Sequence, residues 1–205
     1  MQSVYSFSLG EEKKLDDETI FFKESVAQSF NLYLLLLALL KALKNFTEEQ
    51  LTAYEKHQIN RDENFQMLKH LSKNKALLFI DQHPRLEQHL KNKKFIRWDL
   101  EFTFLKALLK EITSADAFRS YFETKEPTPK EDLNWVMKCF KEIIAPSSYL
   151  YSYLEDHQLT WIDDLPVVNT FMMKMLKQLD PKQSTSLQFP KPIENLEDLD
   201  FGVSL

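Results

Sequence analysis

Only two glycines, Gly10 and Gly202, occur in 205 residues. Tight hairpins and phosphate-cradling loops need backbone with positive φ, and glycine adopts it without steric cost. Their scarcity argues against β-rich folds, dinucleotide-binding βαβ folds and P-loops together. Leu, Lys, Glu and Phe dominate instead, and apolar residues recur at helical spacing. The expectation is an all-α helical bundle of about seven to nine helices over residues 1–180. An extended, partly disordered tail over 181–205 follows. It carries Pro181, Pro190 and Pro192, with Glu194, Glu197, Asp198 and Asp200 against Lys182 and Lys191.

A chain this size buries roughly 70% of its unfolded surface, so disulfides are not required. Cys139 is the single cysteine and falls on an apolar helix face. It reads as a buried structural thiol in a reducing cytoplasm. Leu32 to Leu40 is a run of nine apolar residues ended by Lys41. That is shorter than the about 20 that span a bilayer, and a helix apolar all round is a buried one. No basic n-region or cleavage site precedes it, so no signal peptide and no membrane partner are expected.

Helix boundaries follow from caps. Met1 to Leu9 reads as a short helix, and the longest helix begins at Asp17 or Thr19. It carries Phe21, Phe22, Val26, Phe30, Tyr33, Leu34, Leu37, Leu40 and Leu43 inward and ends near Asn45. Thr47-Glu48-Glu49-Gln50 has capping-box spacing and should open another helix. A helix from Asp62 through Leu78, a short one from Pro84, one from Phe95 to Ile112, and a brief one capped by Ser114 come next.

From Asp132 to Leu179 the boundaries are sharpest. Thr128 and Glu131 form a capping box with Pro129 at the first helical position. Leu133, Val136, Met137, Phe140, Ile143 and Ile144 share one face, and Pro146 stops the helix. Ser147 or Ser148 caps the next, with Leu150, Tyr153, Leu154 and His157 as its stripe. The link LTWIDDLP offers Asp163 or Asp164 as the cap of a helix carrying Leu165, Val168, Phe171, Met172, Met175, Leu176 and Leu179, which Asp180-Pro181 stops. A Trp/Asp link before an apolar helix occurs twice, at Trp98-Asp99-Leu100 and at Trp161 to Leu165.

This order of parts resembles the NusB family of bacterial transcription antitermination factors, in the long form found in Bacteroidetes-type bacteria. The match lies in Leu133 to Ile144, Leu150 to Leu154, Trp161 with Asp163 and Asp164, and Val168 to Leu176. Met1-Gln2-Ser3-Val4-Tyr5 is similar to the family's V-Q-x-L-Y segment. The arginine-rich segment ahead of that match and the family's closing helix–Trp/Asp link–helix copy have no counterpart here. The resemblance implies a NusB-like bundle without a catalytic role. It also implies boxA-like RNA, a small ribosomal protein and the elongating RNA polymerase as partners. Gln2 and Tyr5 then fall near the family's RNA surface.

Charge adds a second candidate. The net charge is −5, which argues against a general nucleic-acid binder. From Gln66 to Lys110, however, ten Lys or Arg stand against four Asp or Glu. Lys91, Lys93, Lys94 and Arg97 are the densest part, interleaved with Phe95 and Trp98. That pattern can hold single-stranded RNA by phosphate contact and stacking; a solvated helix end with its favoured cations is the other reading. No catalytic residue, metal site or cofactor motif is expected. His57, His70, His83, His89 and His157 lack ligand spacing and read as surface residues. A helical protein–protein scaffold with no RNA role is the alternative function.

Overall fold

The computed structural model describes residues 15–57, 62–91 and 93–179. Nine α-helices and no strand occur among them. They are α1 (Leu15–Lys56), α2 (Glu63–Ser72), α3 (Lys75–Asp81), α4 (Pro84–Leu90) and α5 (Phe102–Ser114). Then come α6 (Arg119–Glu123), α7 (Pro129–Cys139), α8 (Ser148–His157) and α9 (Thr160–Gln178). Single 3-10 turns, Trp98–Leu100 and Asp116–Phe118, precede α5 and α6.

The 42-residue helix α1 is the axis. At 1.5 Å per residue it is about 63 Å long. Leu32, Leu34 to Leu37 and Leu39 have no exposed surface, because α9, α2 and α3 pack round this stretch. Ile20–Lys56 is long and apolar enough to cross a bilayer by length and composition alone, and its apolar run is enclosed here by the other helices.

The helix does not end near Asn45, and no cap forms at Thr47. The Thr47 hydroxyl, buried, donates instead to the Leu43 carbonyl at 2.8 Å. Glu48, expected to reach back to the cap amide, binds Lys44 at 2.9 Å. Lys44 also reaches Asp81 at 3.0 Å. Burial opposes its charge, and Glu48 and Asp81 outweigh that cost, raising its pKa. With Phe46 buried and neither Gly nor Pro nearby, continuing the helix satisfies more groups than restarting it. Phe21 is 51% exposed, and Ile20 and Phe22 also face solvent, so the expected inward face begins only at Phe30.

The helix expected from Asp62 through Leu78 is two. Asp62 does cap α2, accepting from Phe65 N at 3.0 Å. Asn74 then interrupts, because its side-chain oxygen accepts from the Ala76 and Leu77 amides and starts α3. Its amide group donates to the Tyr121 hydroxyl at 2.8 Å and the Asp132 carbonyl at 3.3 Å. Asp132 is buried and completes the cluster: Tyr121 OH donates to one oxygen at 2.8 Å and Lys75 N to the other at 2.9 Å. Three helices, α3 with its cap Asn74, α6 and α7, thus meet at one satisfied polar knot. Pro84 opens α4 as expected. Phe95 to Arg97 are loop, so the helix expected from Phe95 starts only at Phe102, itself 53% exposed. Ser114 closes α5 rather than capping α6.

From Thr128 onward the local chemistry prevails. Both capping-box bonds form, Thr128 N to Glu131 at 2.7 Å and Glu131 N to Thr128 Oγ1 at 3.3 Å. The end of α7 widens into a π turn, Phe140–Ile144, closed by Ala145 N to Phe140 O at 2.8 Å. The wider turn lets Phe140, Ile143 and Ile144 all enter the core. Ser147 caps α8. The expected Trp/Asp link is helical instead. α9 starts at Thr160, with no side-chain cap, and runs through Pro166. Asp163 lies in its first turn, where negative charge is favoured, and Asp164 accepts from Ser29 Oγ at 2.8 Å. Phe171 is exposed, whereas Leu165, Val168, Met172, Met175, Leu176 and Leu179 are buried. The expected short helix at Met1 to Leu9, the Asp180-Pro181 stop and the tail lie outside the described residues.

Candidate nucleic-acid interface

The segment after α4 is shaped by two anchors. Trp98 is 2% exposed, and its indole N–H donates to the Leu35 carbonyl of α1 at 2.9 Å. Trp161 does the same to Gln28 O at 3.1 Å. The two carbonyls lie about two turns apart on α1, and so the twice-occurring Trp/Asp segments dock on one helix. Phe95 is half-buried with its ring 5.8 Å from that of Trp161. Trp98 is therefore not an open stacking surface, and Phe95 has part of its ring turned to Trp161. Of the aromatic half of the expected single-strand site, Trp98 belongs to the core and Phe95 packs against it.

The cations divide in two. Lys93 donates to Asn31 Oδ1 at 2.8 Å and lies 5.9 Å from the Phe95 ring centre, which ties the loop to α1. Arg97 forms a two-bonded pair with Asp99, 3.2 Å at each contact. That hydrogen bonding raises the Arg97 pKa and lowers the Asp99 pKa. Lys91 and Lys94 are exposed, and their ammonium groups make no hydrogen bond or ion pair with another described residue. Gln2 and Tyr5 lie outside the described residues. The fold thus brings Lys91, Lys93, Lys94 and Arg97 to one corner.

Four rings cross this corner in a continuous stack. Phe104 lies 5.3 Å from Trp98, Trp98 4.5 Å from Tyr153, and Tyr153 4.0 Å from His157. Burial, then the negative charge of Glu101, pushes the Tyr153 hydroxyl up to about 12. His157 Nδ1 donates to the Tyr153 carbonyl at 2.8 Å, since a carbonyl can only accept. The sequence signal for this contact was the Tyr153–His157 spacing of i, i+4; the partner across the core, Trp98, carried no such signal.

The other histidines are not all at the surface. Among the described residues, His83 is buried with neither ring nitrogen hydrogen-bonded, and His70 is half-buried with Nε2 unpartnered. Burial lowers both pKa values; Arg85 adds to this at His83, while Asp132 opposes it at His70. Their rings fill apolar space beside Phe79 and Tyr121. Cys139 is buried, and burial followed by Glu111 pushes its thiol up. Among the described residues no three His, Cys, Asp or Glu converge. A shallow cleft between α6 and α7 is lined by Phe118, Tyr121, Trp135 and Lys138.

These features define an all-α bundle built on one long axial helix, with a small cationic corner. No protein-family profile, curated protein or solved structure matches the chain.

Proposed function

We propose that this chain is a non-enzymatic, RNA-binding transcription antitermination factor of the NusB type, acting in the cytoplasm on ribosomal RNA synthesis. The observation that carries the reading is the order of helices from Thr128 to Leu179, whose matched residues Trp161 and Asp164 both bind α1. The exposed Lys91 and Lys94 supply a point of attachment for phosphate. The partners are boxA-like RNA, a small ribosomal protein and the elongating polymerase. The mechanism is recognition: the bundle holds RNA and protein together on the polymerase without making or breaking bonds.

The test is fluorescence anisotropy with boxA-like RNA and a scrambled control at low and moderate salt. Weak binding that falls with salt is expected, since the net charge is −5 and each neutralised phosphate releases counterion. Lys91→Ala with Lys94→Ala should flatten the salt slope by about 1.4, at roughly 0.7 per single-strand phosphate. Absence of binding at low salt would remove the RNA reading. A second reading, a helical protein–protein scaffold, draws on the apolar residues Ile20, Phe21, Leu100 and Phe102, all more than half exposed. Binding of a small ribosomal protein with no RNA binding would favour it.

A further inference from the structure

We infer that His157 is the base-stacking residue of this corner, taking one unpaired nucleobase of a single-stranded RNA on its outer face. The inference rests on the RNA-binding reading above and assigns it a residue. Single-stranded recognition needs a flat, fixed ring next to cations. Of the rings the sequence offers for this, Trp98 is buried and Phe95 is half-buried against Trp161. His157 takes their place. One face lies on Tyr153 at 4.0 Å and 22°, Nδ1 is held by the Tyr153 carbonyl, and the residue is exposed. No other described ring packs on it. Tyr153 lies on Trp98 at 4.5 Å and 26°, and Trp98 is hydrogen-bonded to α1. The imidazole is thus the end of a rigid ladder, and a base landing on it loses little side-chain entropy.

Position favours the same conclusion. Trp98 directly follows Arg97 in the chain, so the ladder leads from the cationic loop to the His157 ring across two stacking intervals. The acidic residues Glu155 and Asp156 precede His157, but successive helix positions turn by about 100°, which puts them off the face shared by Tyr153 and His157. Asp99 occupies Arg97, and Glu101 acts on Tyr153. These acids weaken phosphate attraction here, so stacking carries a larger share of the binding than charge does. Stacking also tolerates any base, because each has a π-face.

The experiment is anisotropy of a labelled single-stranded RNA of about 12 nucleotides with the full chain, at low salt. His157→Ala should weaken binding about tenfold, the lower range of one lost base stack. His157→Phe should retain it, which guards against loss by misfolding. The double-stranded form of the same RNA should show no His157 dependence, since its bases are already stacked. Wild-type binding that is unchanged in His157→Ala, or equally lost in His157→Phe with the fold intact by circular dichroism, overturns this inference and leaves the RNA reading standing. No binding by the wild type overturns both.

Discussion

Replacing Asp132 by Ala should be among the most damaging single changes outside the apolar core. Its carboxylate is buried and accepts two hydrogen bonds, from Tyr121 OH at 2.8 Å and from Lys75 N at 2.9 Å. Bonds to a charged acceptor contribute about 1.5–3 kcal/mol each, and a donor left buried without a partner loses its hydration as well. Lys75 N–H is one of the orphan amides opening α3, so no helical carbonyl replaces the carboxylate. Tyr121 OH keeps only the Asn74 amide, which uses its lone pair and not its proton. The two bonds together come to about 3–6 kcal/mol, against a typical total of about 5–15 kcal/mol. Asp132→Asn should cost roughly half, because its single amide oxygen serves one of the two donors. Urea denaturation monitored by circular dichroism gives the midpoint and slope for each variant. Tyr121→Phe alone should cost about 1–3 kcal/mol, and the double mutant should cost less than the sum by about 1–2 kcal/mol, because both changes remove the same bond. A loss under about 1 kcal/mol for Asp132→Ala, or strict additivity in the cycle, would refute the claim that the knot holds α3 and α7 together.

Two further outcomes follow from burial. Phe140→Ala and Met172→Ala, both with no exposed surface, should each lose about 2–5 kcal/mol in equilibrium denaturation; a loss under about 0.5 kcal/mol would place that face outside the core. Acidification should also destabilise the fold. His83 is buried with a pKa lowered from 6.5, chiefly by burial and then by Arg85. The unfolded chain therefore takes up the proton first, and the stability present above about pH 6.5 is lost as pH falls toward the folded-state value. His83→Asn, which leaves a side chain able to cap α4, should flatten this part of the pH–stability curve, and an unchanged slope would exclude His83 as its source.

Helix class and most helix starts were legible because they rest on groups a few residues apart. The Thr128–Glu131 box, Pro129, Pro84, Asp62 and Ser147 each satisfy or remove orphan amides within one turn, and each acts where the local pattern places it. Apolar spacing likewise placed Phe140, Leu150 and Met172 in the core. Where two local solutions differ by only about 1 kcal/mol, distant partners chose. Thr47 to Gln50 carries the same capping signal as Thr128 to Glu131, yet Lys44, held by Asp81, draws Glu48 into the helix and burial of Phe46 continues it. Asn74 reads as an ordinary helix residue until Tyr121 and Asp132 arrive from 47 and 58 positions away. The cationic corner followed the same division. Its charges could be counted along the chain, but whether Phe95 and Trp98 faced water depended on α1 and α9, and the exposed His157 ring on α8 stacks on Tyr153 through the fold. Spacing encodes which face a residue occupies on its own helix. It carries no information on which helix covers that face, and that pairing settles burial, hydration and chemistry.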